Sequence, residues 1–227
     1  GLDAEHAWVP TLMRNARNEK IHPGADGFCN ASIGVTPLQI PKDRTRASGP
    51  DIHPRGNPHY NLDPERMRTA ARNIRDALQR VDAAHADEFA ENYRKWEKKL
   101  DARIVKWREQ LLPVKGAAFI EYHNSWVYFA KAFGLRVVGQ LEPKPGLAPT
   151  PAHLRTMVAR AVEEQVGLIV ARPQNIDVAK RVAKDVDAKA AVLQLCSARK
   201  GKLRGWFEFM DHVVKTFADN LRPKKCP

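Results

Sequence analysis

The chain has little cysteine and no long apolar run, and each lack excludes something. Its 227 residues hold three cysteines, Cys29, Cys196 and Cys226, and no Cys-x-x-Cys pair. The pattern therefore speaks against structural zinc of the finger type, and the odd count cannot close entirely within one chain. Cys196 and Cys226 could form one bridge in an oxidising compartment, or all three thiols could be free. No stretch of about 18 consecutive apolar residues occurs, so no segment reads as a membrane-spanning helix. The opening Gly1-Leu2-Asp3-Ala4-Glu5-His6 has neither the basic nor the apolar region of a signal peptide. That leaves a cytoplasmic, mature or shortened chain. Catalytic signatures are missing too. There is no nucleophile elbow, no dinucleotide or Walker glycine loop, and no His-Glu-x-x-His.

What is present is a basic, moderately hydrophobic chain. Its net charge is +12 with 43% hydrophobic residues. Such a balance favours anionic partners. The charge is dispersed, however, with acids among the bases, as in Arg94-Lys95-Trp96-Glu97-Lys98-Lys99. Counterion-release binding to nucleic acid wants a clustered stripe, so a solvated basic surface is the preferred reading. Arg199-Lys200-Gly201-Lys202-Leu203-Arg204 is a compact basic loop that reads as a turn before the last helix.

Local signals divide the chain into three. Residues 1–14 look helical, and 15–62 are rich in Gly, Pro, Asn and Asp, with Val35 to Ile40 as the only strand candidate. Asp63-Pro64 is a helix start, with a capping side chain followed by proline at the first helical position. Met67, Ala70, Ala71, Ile74, Ala77, Leu78 and Val81 then keep helical spacing. Phe89, Tyr93, Trp96, Leu100, Ile104, Trp107 and Leu111 continue it to Pro113, with a candidate break near 83–87. A continuous helix over this stretch would reach roughly 70 Å, a spine rather than part of a small globule. Beyond it, strands and helices alternate. Strand signals fall at Ala117–Ile120, Leu135–Leu141, Gly167–Ala171 and Ala190–Leu195. Helix signals fall at Ser125–Phe133, closed by Gly134, then at 151–165, Ile176–Lys184 and Gly205–Leu221. This alternation implies a parallel sheet covered on both faces. Ligands of such sheets sit beyond the carboxyl ends of strands, where His123, Glu142, Arg172 and Cys196 fall. The domain reading is 1–62 as the remnant of an N-terminal lobe, 63–112 as the spine helix, and 113–227 as the C-terminal α/β lobe.

Two histidines stand in the most patterned stretches. His59 follows Asn57-Pro58 in a turn before the Asp63 helix, a placement that suits a ligand of fixed direction. His123 follows a strand, with Glu121 beside it and Trp126, Tyr128 and Phe129 behind. Imidazole suits zinc, copper, iron or nickel and is acceptable to manganese. Read alone, His59 is better taken as a surface or turn histidine, and for His123 too a role other than ligand is favoured. His6, His22, His85, His153 and His212 lie in polar or helical contexts, and His53 has no fixed geometry to His59. Glu142 opens a stiff Glu142-Pro143-Lys144-Pro145-Gly146 loop, where it could support a ligand, be one, or pair with Lys144.

Taken together the two motifs resemble a known family. Gly56-Asn57-Pro58-His59-Tyr60-Asn61-Leu62-Asp63-Pro64 resembles the Asn-Pro-His-x-x-Leu-Asp-Pro motif of metal-binding solute receptors of ABC transporters, the zinc and manganese class. Tyr122-His123-Asn124-Ser125-Trp126-Val127-Tyr128-Phe129 resembles its His-x-x-x-x-Tyr-Phe motif, followed by Phe133-Gly134-Leu135. Leu141-Glu142-Pro143 and Thr150-Pro151-Ala152-His153-Leu154 resemble the stretch after it. The resemblance implies two α/β lobes joined by one long rigid helix, with metal held in the interlobe cleft. It implies a periplasmic or cell-surface monomer that delivers zinc, or alternatively manganese, to an ABC permease and performs no chemistry. His59 and His123 are the metal ligands it implies, with zinc favoured because both are imidazoles.

Two departures accompany the likeness. The family carries a further N-terminal region with an early ligand histidine, and this chain resembles only the part after it. The family's last ligand is commonly an aspartate after the final strand, where this chain has Leu195-Cys196-Ser197-Ala198-Arg199. The expectation is weakened metal binding. The alternatives are a family member with a decayed site and an adhesive or partner-binding role, a basic nucleic-acid-binding protein, or a metal-assisted hydrolase with Glu121 or Glu142 as base.

Overall fold

The computed structural model describes residues 1–5, 7–42, 53–198 and 201–223. The chain forms two compact units. Unit 1 comprises Gly1–Pro41 and His53–Ile104, and unit 2 comprises Lys42–Ile52 and Val105–Pro227.

Unit 1 begins with α1 (Val9–Asn15) and a short 3₁₀ turn at Glu19–Ile21. Its regular structure is concentrated in α2 (Pro64–Val81) and in α3 (Ala86–Leu111), which continues into unit 2. Asp63 caps α2 as its sequence requires, accepting from the backbone N–H groups of Glu65 and Arg66. The turn-rich segment before it is fastened by side chains. Asn73 donates to the carbonyls of Ala31 and Ile33, and Arg80 to those of Asp26 and Phe28.

Two expectations are corrected here. Val35 to Ile40 is not a strand, and among the described residues unit 1 has none. Pro37 offers no N–H to a ladder and Gln39 takes φ +53°, so the run cannot stay extended. The 64–112 stretch is not one straight spine. The candidate break is a reversal, with α2 ending at Asp82 and a 3₁₀ turn at Ala83–His85 leading into α3. Arg68 bonds Glu97 at 3.2 Å and Asp101 at 2.6 Å. In one continuous helix Arg68 and Glu97 would stand roughly 40 Å apart. α2 and α3 therefore lie antiparallel, and the long helix common to both units is the 26-residue α3.

Unit 2 is the expected α/β layer structure. Its strands β1 (Ala118–Glu121), β2 (Arg136–Gln140), β3 (Leu168–Ala171) and β4 (Lys189–Val192) form one parallel sheet in the order β2-β1-β3-β4. Helices α4 (Val127–Phe133), α5 (Pro151–Glu163), α6 (Ile176–Asp185) and α7 (Trp206–Asn220) connect and follow them.

The pleat sends alternate side chains to opposite faces. Ala118, Ile120, Ile169 and Ala171 pack with Met157 and Ala161 of α5 and Ala179, Val182 and Ala183 of α6. Phe119 points the other way, with its ring 4.9 Å from that of Phe217 in α7, which in turn stacks on Phe129 of α4 at 4.7 Å. Helices thus cover both faces. Gly139 allows α5 to approach β2, since a Cβ there would stand 2.8 Å from Met157 Sδ. Within unit 2, the end of α3 is tied to α7 by Trp107 Nε1 donating to Asp211 at 2.7 Å.

Candidate metal centre

The centre of interest in unit 2 starts with a buried carboxylate. Glu121, the last residue of β1, is wholly inaccessible. Its Oε2 accepts from the backbone N–H groups of Ser125 and Trp126 at 2.9 and 2.8 Å, and Oε1 accepts from Gln140 Nε2 at 2.9 Å. Burial raises its pKa above the usual carboxylate value, opposed by these hydrogen bonds. Glu121 therefore closes the 122–126 loop as a knot. Its oxygens already serve three donors and no solvent reaches them, so the hydrolase reading with Glu121 as base fails on geometry.

That loop aims His123. Its Nδ1 meets Glu142 Oε2 at 2.5 Å, and the two side chains are only 11% and 10% exposed. A carboxylate only accepts, so the imidazole carries its proton on Nδ1 and would ligate through Nε2. Glu142 is itself fixed. Its N–H donates to the Tyr122 carbonyl at 2.9 Å, and its Oε1 accepts from Gly146 N at 2.9 Å. An imidazole oriented by a carboxylate on its far nitrogen is the arrangement that supports metal ligation. Of the readings the sequence left open for Glu142, the support of His123 is the one this geometry favours.

His59 belongs to unit 1. Asn57, itself buried, accepts from His59 N at 3.0 Å and donates to Gln39 at 3.1 Å. This Asx turn sets the backbone ahead of the 3₁₀ turn at Tyr60–Leu62, and His59 is half-buried. Gly56 takes φ +112°, and a Cβ there would stand 2.9 Å from the Leu38 carbonyl oxygen, so the turn requires glycine.

His153 bonds the Gln140 carbonyl at 2.9 Å and His85 pairs with Asp82. Cys29 and Cys196 are free and exposed, while Cys226, and with it the Cys196–Cys226 pairing, lies outside the described residues, as does His6. Among the described residues no three or more His, Cys, Asp or Glu side chains form a group able to hold a metal ion. The donors therefore fit a metal in kind, with an oriented imidazole, but fall short in number. Sequence reading missed Gln140, whose only signal is its place at the end of β2 beside Glu121.

Comparison with known proteins agrees with this architecture. The family model described as "Zinc-uptake complex component A periplasmic" matches residues 1–220. The high-affinity zinc uptake system protein ZnuA of Brucella abortus (strain 2308) is 26% identical over 165 residues, 72% of this chain and 48% of that protein. The chain thus spans about half the length of such curated relatives. A crystal structure of ZnuA superposes with a TM-score of 0.78 at 21% identity, covering 98% of this chain and 78% of that one. The manganese-bound periplasmic metal binding protein of Candidatus Liberibacter asiaticus gives 0.75 at 20% identity, with 96% and 77% covered. These likenesses show the fold. The family match also answers the question of class: this chain belongs to the periplasmic zinc-uptake component A family, whose members are transport components and not enzymes.

Proposed function

We propose that this chain is the receptor of a metal-uptake system. It captures a divalent transition metal, zinc in preference to manganese, and passes it to an ABC permease. It works as a monomer in the periplasm or at the cell surface. His59 and His123 are the ligands, one from each unit, and the family resemblance implies an interlobe cleft as their meeting place. The single observation that carries the reading is the His123–Glu142 pair, an imidazole held by a carboxylate through Nδ1. The preference for zinc rests on the two imidazoles, since manganese favours oxygen donors.

Zinc titration by calorimetry, with elemental analysis of the purified chain, tests it. Wild type is expected to take up zinc, and His59→Ala and His123→Ala are each expected to lower affinity by at least the roughly tenfold that loss of an outer-shell partner costs. Wild-type affinity in both variants overturns the assignment of the ligands.

A further inference from the structure

The sheet order β2-β1-β3-β4 has one topological switch point, between β1 and β3. The chain leaves β1 for β2 on one side and returns to β3 on the other. In open parallel sheets the ligand crevice opens at that point, outside the strand carboxyl ends. The register says what borders it. Tyr122 N donates to the Val170 carbonyl at 2.8 Å, and Glu142 N to the Tyr122 carbonyl at 2.9 Å. His123 thus leaves β1, and Arg172, two residues past Val170, leaves β3 on a neighbouring strand about 5 Å away. Glu142 stands on the β2 side, occupied with His123. Arg172 is exposed, and its guanidinium has no ion pair or hydrogen bond among the described residues.

An imidazole and a guanidinium at the carboxyl ends of the adjacent strands β1 and β3 suit no simple ligand. A bare divalent cation would meet the imidazole and be repelled by Arg172. A bare anion would meet Arg172 and leave the oriented imidazole unused. A metal carrying its own anionic donors satisfies both. We propose that this crevice takes its metal as a complex with a small carboxylate chelator, with His123 ligating the ion and Arg172 clamping a carboxylate of the chelator. This inference rests on the metal-capture reading above. A guanidinium presents a planar fork that matches a carboxylate with two parallel hydrogen bonds. The chelator also supplies the donors that the described residues lack in number. An equimolar zinc–citrate complex carries net negative charge and is the simplest probe of this class.

Equilibrium dialysis of the full, metal-stripped chain with radiolabelled citrate, with and without zinc, decides it. Citrate is expected to be retained only when zinc is present. Arg172→Ala should weaken retention of zinc citrate about tenfold or more, the value of a lost charge-assisted pair, and should tighten binding of zinc alone. Arg172→Lys, which keeps the charge without the fork, should fall between wild type and Arg172→Ala. His123→Ala should weaken retention of both zinc and zinc citrate, each by about tenfold or more. If wild type binds zinc while citrate merely strips it away, the chelate proposal fails and the metal-capture reading stands. The chelate proposal fails equally if Arg172→Ala moves both affinities in one direction or neither, or if citrate is retained without zinc. If no zinc is retained with or without citrate, both readings fail.

Discussion

At the scale of single residues, Glu121 decides whether His123 is aimed at all. Its carboxylate satisfies two backbone N–H groups of the loop and the Gln140 amide, and all of this happens out of contact with water. Removing it in Glu121→Ala strands buried donors, each costing about 1–3 kcal/mol. The expected loss is about 3 kcal/mol of unfolding free energy, read as a lower urea midpoint, with zinc affinity falling alongside because His123 loses its setting. A loss under about 0.5 kcal/mol, as for an ordinary surface change, would count against the knot. His123, Glu121 and Glu142 all stood out in the sequence as residues near a strand end. Their pairing did not. Glu121 reaches Gln140, and His123 reaches Glu142, because β1 and β2 are parallel neighbours in one particular register. A register is fixed by the whole sheet and leaves no trace in a window of ten residues.

At the scale of elements, what is locally determined was legible. The Asp63-Pro64 start of α2, the Thr150 cap of α5 and the left-handed Gly134 after α4 are all where side-chain chemistry puts them. The reversal between α2 and α3 was visible only as a weak break, since Ala83 and Ala84 suit a helix as well as a turn. What holds the two helices side by side is long-range, with Arg68 bridging to Glu97 and Asp101. Glu97 is the group through which pH reaches this pair. The hydroxyl of Tyr93, at 2.8 Å, and then Arg68 hold its carboxyl below the usual value. A depressed carboxyl contributes stability above its unfolded value and loses it as pH falls through the folded one. The gap in urea midpoint between wild type and Glu97→Gln should therefore be full at roughly pH 6 and shrink as pH drops below 4.5. A gap that stays constant down to acid unfolding would show that Glu97 works by packing alone.

At the scale of the whole molecule, the two units are built on different terms. Unit 2 rests on a sheet whose central residues Phe119, Ile120, Leu168, Ile169 and Val170 are wholly inaccessible. In unit 1 the stretch before α2 is mostly turns, fastened by a few side-chain bonds from Asn73 and Arg80. Few buried apolar contacts and many solvent-facing backbone groups mean low local stability. Native-state hydrogen exchange should thus be slowest at β1 and β3 and fastest over residues 16–41. Equal protection in the two regions would show that unit 1 is held by more than these bonds. The same contrast bears on metal capture. His123 is set by a sheet and a buried carboxylate, whereas His59 is set by a turn. An ion that ligates both adds little order to the first and much to the second. Zinc should then slow exchange around residues 56–63 by more than it does around 119–123, and His59→Ala should erase that difference. Slowing confined to 119–123 would mean that the ion is held by unit 2 without His59.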